Sequence, residues 1–148
     1  MHEFPHHYAV EAAASVDSTV GLDSPGLVRI ETAGPVEFGG PGDLWSPETL
    51  LVGAVADCFV LSFRAIARKA RFEWESLACN VVGDLDRVDG VTQFTGFDVH
   101  AVLEIPPGIE HSRAVRLLEK AERHCLITNS LKAGTHLDAD VRTVGSSD

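Results

Sequence analysis

From Leu50 to Phe63 the chain offers apolar side chains to nearly every side of a helix: Leu50, Leu51, Val52, Ala54, Val55, Ala56, Phe59, Val60, Leu61 and Phe63. A helix apolar on one stripe lies at a surface, whereas one apolar all round needs cover on every side. Its start is written in Trp45-Ser46-Pro47-Glu48, with Ser46 as N-cap, Pro47 at the first helical position and Glu48 in the first turn. Arg64, Arg68, Lys69 and Arg71 gather at its end, where positive charge suits the helix dipole. This spacing predicts a helix over about 47–70, buried all round at the centre of the fold.

The remaining segments read as cover for it. Tyr8 to Ala12 alternates as a strand, and Leu27 to Glu31 follows the turn at Ser24-Pro25-Gly26 as another. Phe38-Gly39-Gly40-Pro41-Gly42-Asp43 is a loop that lacks the Lys-Ser/Thr ending of a phosphate loop. Leu77 to Leu85 is a strand, and Asp89-Gly90 is the strongest hairpin signal in the chain. Phe97, Val99, Ala101, Leu103 and Ile105 then alternate with polar residues until Pro106-Pro107-Gly108 stops them. A second helix over about 110–125 places Ala114, Leu117, Leu118, Ala121 and Cys125 on one stripe, and Leu137, Ala139 and Val141 alternate in a last strand. This order is α+β, with no βαβ repeat.

The length of 148 residues fits one domain, so 1–148 is expected to fold as a unit. A formal charge of −10 repels phosphate backbones, which argues against a nucleic-acid partner. The run from Leu50 to Leu61 is interrupted by Gly53 and Asp57 and falls short of the roughly 20 residues of a membrane span, so no membrane partner is expected. Met1-His2-Glu3-Phe4-Pro5-His6-His7 shows no basic stretch leading into an apolar one, as a signal peptide would. A cytoplasmic location is therefore expected. Structural disulfides are rare there, and the three cysteines do not suit a stapled secreted domain.

Those three are Cys58, Cys79 and Cys125. Taken singly, Cys58 and Cys79 fit a packing role, because cysteine is among the most buried residue types. Cys58 and Cys125 nevertheless sit at the most apolar points of two helices that share one small core, which leaves their sulfurs free to meet. His2, His6, His7, His111 and His124 raise the question of a metal, but there is no C-x-x-C and Pro5 breaks any helical pairing of His2 with His6. No metal is expected.

Phe38-Gly39-Gly40-Pro41-Gly42-Asp43-Leu44-Trp45-Ser46-Pro47-Glu48-Thr49-Leu50-Leu51, then Ala54-Val55-Ala56-Asp57-Cys58, then Cys125-Leu126-Ile127-Thr128-Asn129-Ser130-Leu131, resembles the OsmC/Ohr family of osmotically inducible and organic-hydroperoxide-resistance proteins. The resemblance covers almost the whole chain in element order. It implies an intertwined homodimer, with two central helices wrapped by antiparallel sheets. It also implies a thiol peroxidase of the oxidative stress response that reduces organic hydroperoxides. Cys58 then matches the peroxidatic cysteine, Cys125 the resolving cysteine that closes a Cys58–Cys125 disulfide, and Glu48 an acid that orients an activating arginine. An external dithiol, protein or small molecule, would reduce the disulfide, and no cofactor is implied. Phe38, Trp45 and Phe59 are candidate walls of an apolar substrate pocket. The alternative on the same fold is a non-catalytic stress protein that binds a small hydrophobic ligand.

The family's peroxidases carry the arginine in their N-terminal strands, where this chain has Asp17-Ser18-Thr19; its first arginine is Arg29. An unassisted thiol with pKa near 8.5 is only about 3% thiolate at pH 7. Lowering that to about 6 gains roughly 30-fold in thiolate but loses roughly 10-fold in nucleophilicity. Most of an arginine's value is thus in positioning peroxide and stabilising the leaving oxygen. Glu48 stands about 15 Å along the helix from Cys58. It either works through a long side chain or from the other subunit, or is a first-turn acid worth a few tenths of a kcal/mol.

Overall fold

The computed structural model describes residues 1–145. The chain divides into two compact units, Met1–Leu50 and the part from Leu51 onward. In the first, β1 (Glu11–Ala13), β2 (Val20–Asp23) and β3 (Ile30–Thr32) form an antiparallel sheet in that order. Both outer strands are shorter than the alternation suggests. β1 begins at Glu11, where β2 first offers it a partner in Asp23. The buried hydroxyl of Thr32 donates to the Val20 carbonyl at 3.2 Å. A 3-10 turn at Val36–Phe38 follows, and the Ala33 N–H donates to the Trp45 carbonyl at 3.0 Å.

α1 (Pro47–Lys69) opens as its sequence requires. The Thr49 N–H donates to Ser46 Oγ at 3.1 Å and the Ser46 N–H donates back to Thr49 Oγ1 at 2.8 Å. This is a reciprocal cap in which Thr49 replaces the usual glutamate. Two orphan N–H groups are thereby satisfied before the first intrahelical bond forms.

In the second unit, β4 (Ser76–Val88) and β5 (Val91–Ile105) form a long antiparallel hairpin. Asp89 and Gly90, both at positive φ (51° and 80°), make the tight turn that this dipeptide favours. Thr95 is the extra residue of a bulge, and its hydroxyl donates to the Asp84 carbonyl at 3.2 Å. After β5 come α2 (His111–Arg123), the short α3 (Leu126–Asn129) and β6 (Gly134–Thr143). β6 pairs with β5 in parallel, so this sheet is mixed and not antiparallel throughout as expected. The connection explains it: α2 crosses over the sheet and returns the chain at the end from which β5 started, which a tight turn cannot do.

The core stripes are regular. β5 buries Phe97, Val99, Ala101, Leu103 and Ile105, every second residue; α1 buries Val55, Phe59, Phe63 and Ala67, every fourth; α2 adds Ala114, Leu118 and Ala121. Phe63 stands edge-on to Phe72 and Trp74, with centroids 6.4 and 5.3 Å apart. Gly83 on β4 marks close packing against α1. A Cβ there would lie 2.9 Å from a Val52 methyl and 3.0 Å from the Phe94 ring.

Two expectations about α1 are corrected. It buries one stripe and is not covered all round; Leu61, for instance, is 49% exposed. A single chain of this size has too few elements to surround a 23-residue helix. And despite Gly53 and Asp57, an 18-residue stretch of it with mean hydropathy 1.9 makes it long and apolar enough to cross a membrane by length and composition alone. The stripe from Val55 to Ala67 is engaged instead with β5 and α2 in the core.

Candidate functional site

Helical geometry puts Cys58 one turn before Ser62 on a face of α1 adjoining the buried stripe, with Cys58 Sγ 3.9 Å from Ser62 Oγ. Cys58 is half-buried. Cys125 does not end α2 as its sequence suggested. α2 stops at Arg123, and Cys125 has extended backbone and caps α3. Its carbonyl accepts the Asn129 N–H at 3.0 Å and the Thr128 hydroxyl at 3.1 Å. This ties the segment in place, with Cys125 1% exposed.

The bend brings Cys125 against Cys58, and the Ile127 N–H toward the Cys58 sulfur. Both cysteines are free thiols. Burial pushes the Cys58 thiol above its ordinary pKa. The Ile127 N–H pulls it down, the Cys125 thiol beside it pushes it up again, and Ser62 pulls weakly down. Among the described residues, no cation is one of the causes. Cys79, on β4, is pushed up to about 11, by burial first and by Cys125 second. Neither Ser62 nor Ile127 was picked out from sequence. The first is legible from i, i+4 spacing, but the second acts through its backbone and leaves no side-chain signal.

Glu48 lies in the first turn of α1, and its buried Oε2 has no hydrogen-bond partner. Arg29 is taken up locally: its Nε donates to Glu31 at 2.8 Å and its Nη1 pairs with Asp23. These carboxylates raise its pKa, and the Thr19 hydroxyl donates to the same Glu31.

Of the three aromatics proposed for a pocket, Phe59 is a core residue at 2% exposure, while Phe38 and Trp45 are 64% and 56% exposed. His6 Nε2 contacts the His2 carbonyl at 3.1 Å and His111 Nε2 contacts Thr143 Oγ1 at 2.8 Å. Among the described residues, no group of three or more His, Cys, Asp or Glu side chains could hold a metal ion.

The match to known proteins agrees with this architecture. The family model for OsmC-like proteins matches residues 40–140. An uncharacterized protein of Bacillus subtilis (strain 168), YmaD, is 24% identical over 144 residues, covering 91% of this chain and 93% of its own. Among solved structures, an OsmC-like protein of unknown function from Vibrio cholerae superposes with a TM-score of 0.82 at 19% identity, covering 91% of this chain and 99% of its own. An organic hydroperoxide resistance protein from Legionella pneumophila does so with 0.72 at 24% identity, covering 93% and 99%. At such identities the structures speak for the fold, and the family model, which spans more than half of the chain, speaks for descent: the chain belongs to the OsmC-like protein family.

Proposed function

We propose that this protein is a cysteine-based hydroperoxide reductase acting on organic hydroperoxides, with 1–148 working as one domain. The observation that carries the reading is the adjacency of two free thiols, Cys58 and Cys125, that are 67 positions apart in sequence. In the proposed cycle the Cys58 thiolate attacks the peroxide oxygen farther from carbon. The O–O bond breaks, the alkoxide leaves and takes up a proton to become an alcohol, and the sulfur is left as sulfenic acid. The Cys125 thiolate then attacks that sulfur, the S–O bond breaks, and hydroxide leaves as water once protonated. An external dithiol, itself oxidised to a disulfide, returns both thiols, and the cycle calls for no cofactor. A reducing, cytoplasmic setting would supply that dithiol.

The raised pKa of Cys58 makes this a slow peroxidase as a single chain. The exposed part of α1 and the unpartnered Oε2 of Glu48 support a homodimer in which the second subunit supplies cover and a donor. The same raised pKa favours a second reading, a non-catalytic module that binds a small hydrophobic ligand.

Peptide mapping after one equivalent of an organic hydroperoxide separates the two. The reductase loses two free thiols per chain and yields a Cys58–Cys125 bridge with Cys79 still reduced. A bridge through Cys79, or no thiol loss, would sink the assignment.

A further inference from the structure

α2 turns Ala114, Leu118 and Ala121 to the core, and its far side is charged. Arg113, Arg116, Lys120 and Arg123 stand there at i, i+3, i+7 and i+10, all exposed. That spacing stacks them in one stripe, about 15 Å from end to end. A solvated helix face ordinarily mixes its signs. This chain has 22 acidic residues to 12 basic ones, yet its two long helices carry seven of the bases and only four of the acids. Of those acids, Glu48 and Glu122 are half-buried, Asp57 lies on α1, and Glu119 alone flanks the stripe.

Arg113 is held at its end of the stripe by the Ala70 carbonyl at 2.9 Å and the Phe72 ring at 5.4 Å. Arg116, Lys120 and Arg123 pair with no carboxylate among the described residues. The stripe is therefore a local inversion of sign on an acidic protein, and within a Debye length of about 8 Å it outweighs the net charge. It also leads to the thiols. Cys125 lies two residues beyond Arg123, and Leu126 just after it is 66% exposed. A run of free positive charge that ends in an exposed apolar residue has the make-up of a protein-docking patch, with charges for encounter and an apolar contact beside the chemistry.

We propose that the reductant of this chain is a second protein whose dithiol is ringed by acidic residues, and that it docks along α2. This rests on the thiol cycle above and narrows its external dithiol to a protein. The partner's acids meet Arg116, Lys120 and Arg123, and its dithiol lies at Leu126. One of its thiolates attacks Cys58, the more exposed sulfur of the pair; the S–S bond breaks, and Cys125 leaves as a thiolate and takes up a proton. The partner's second thiolate attacks the mixed disulfide, Cys58 leaves as a thiolate, and the partner departs as a disulfide. An extended anionic surface such as a bilayer fits less well, because it meets the acidic remainder of the chain together with the stripe.

The test gives the peroxide-oxidised protein peptides of one design, two cysteines flanked by four glutamates, four glutamines or four lysines. Each rate of thiol recovery is divided by that peptide's rate on hydroxyethyl disulfide, which removes its intrinsic reactivity. At low salt the glutamate peptide should act at least about tenfold faster than the lysine peptide, with the glutamine peptide between, and about 0.5 M NaCl should close the gap. Arg116→Gln/Lys120→Gln/Arg123→Gln should lose this order, and Arg116→Lys/Arg123→Lys should keep it. Versions with serine for cysteine should bind the reduced protein in the same order by fluorescence anisotropy, with no redox step. No order among the peptides, an order that survives the glutamine variant, or tighter binding to phosphatidylserine vesicles than to the glutamate peptide would each overturn the proposal. A bridge that dithiothreitol reduces while the peptides show no order sinks the docking site and leaves the thiol cycle standing. Absence of a Cys58–Cys125 bridge sinks the cycle and the reductant's role with it, and the serine peptides then decide the docking site by themselves.

Discussion

The thiol environments predict a reactivity order that can be read cysteine by cysteine with iodoacetamide and peptide mass spectrometry. Cys79, pushed up to about 11, has a thiolate fraction of roughly one in ten thousand at pH 7. A free cysteine at about 8.5 has about 3%, some 300-fold more. The more basic thiolate recovers roughly 10-fold through its greater nucleophilicity. Ionisation alone therefore slows Cys79 about 30-fold at pH 7, before any loss of access. Cys58, also raised but half-exposed, should react ahead of it yet behind free cysteine, with its rate still climbing about tenfold per pH unit through pH 8. Arg29→Ala should leave that profile unmoved, since Asp23 and Glu31 already take up the guanidinium. A Cys58 profile that flattens below pH about 7 would refute the reasoning and reveal an activating group outside the contacts described.

Stability should follow the same groups and others. The folded pKa of Cys79 lies above the unfolded value of about 8.5, so keeping it neutral contributes stability in full below that pH, and the contribution is lost as pH rises toward about 11. Discounted for partial exposure, the loss is of order 1–2 kcal/mol, and a urea titration series across that window should find it missing in Cys79→Ala. Phe59→Ala should destabilise by about 3–5 kcal/mol in urea unfolding, because the ring is enclosed between the helices and β5. Gly83→Val should cost about 1–3 kcal/mol, since even a Cβ meets Val52, Phe94 and Phe97 at 2.9–3.1 Å; an unchanged unfolding midpoint would show that α1 is free to lift from the sheet.

Local chemistry was the legible part of this fold. Ser46 and Pro47 placed the start of α1, Asp89-Gly90 placed the hairpin, and the alternation from Phe97 to Ile105 named the buried side of β5. Pairing partners were not legible. Leu137, Ala139 and Val141 alternate alike in a parallel or an antiparallel strand, and only the crossover through α2 decides between them. Ten apolar residues on α1 announced that it needs cover on all sides, but a sequence does not say how much of that cover its own chain provides. For the candidate site, the cysteines stood out by type and context. The bend that turns Cys125 out of α2 and points the Ile127 N–H at Cys58 is a backbone event between two helices, and no side-chain periodicity encodes it.

The parallel pairing of β6 also sets an order of assembly. β4 and β5 meet first at Val88 and Val91, across a two-residue turn, whereas β5 and β6 meet first at Gly96 and Gly134, about 38 residues apart. Loop closure makes the second pairing costlier by roughly 2 kcal/mol before any contact rewards it. The hairpin therefore forms early, and β6 zips in only after α2 has docked. Cys125 lies two residues past the end of α2, so its thiol comes to Cys58 as α2 docks, before the last strand arrives. A chain in which α2 has not yet docked would carry the same cysteines as unconnected thiols, and their partnership is a property of the paired helices.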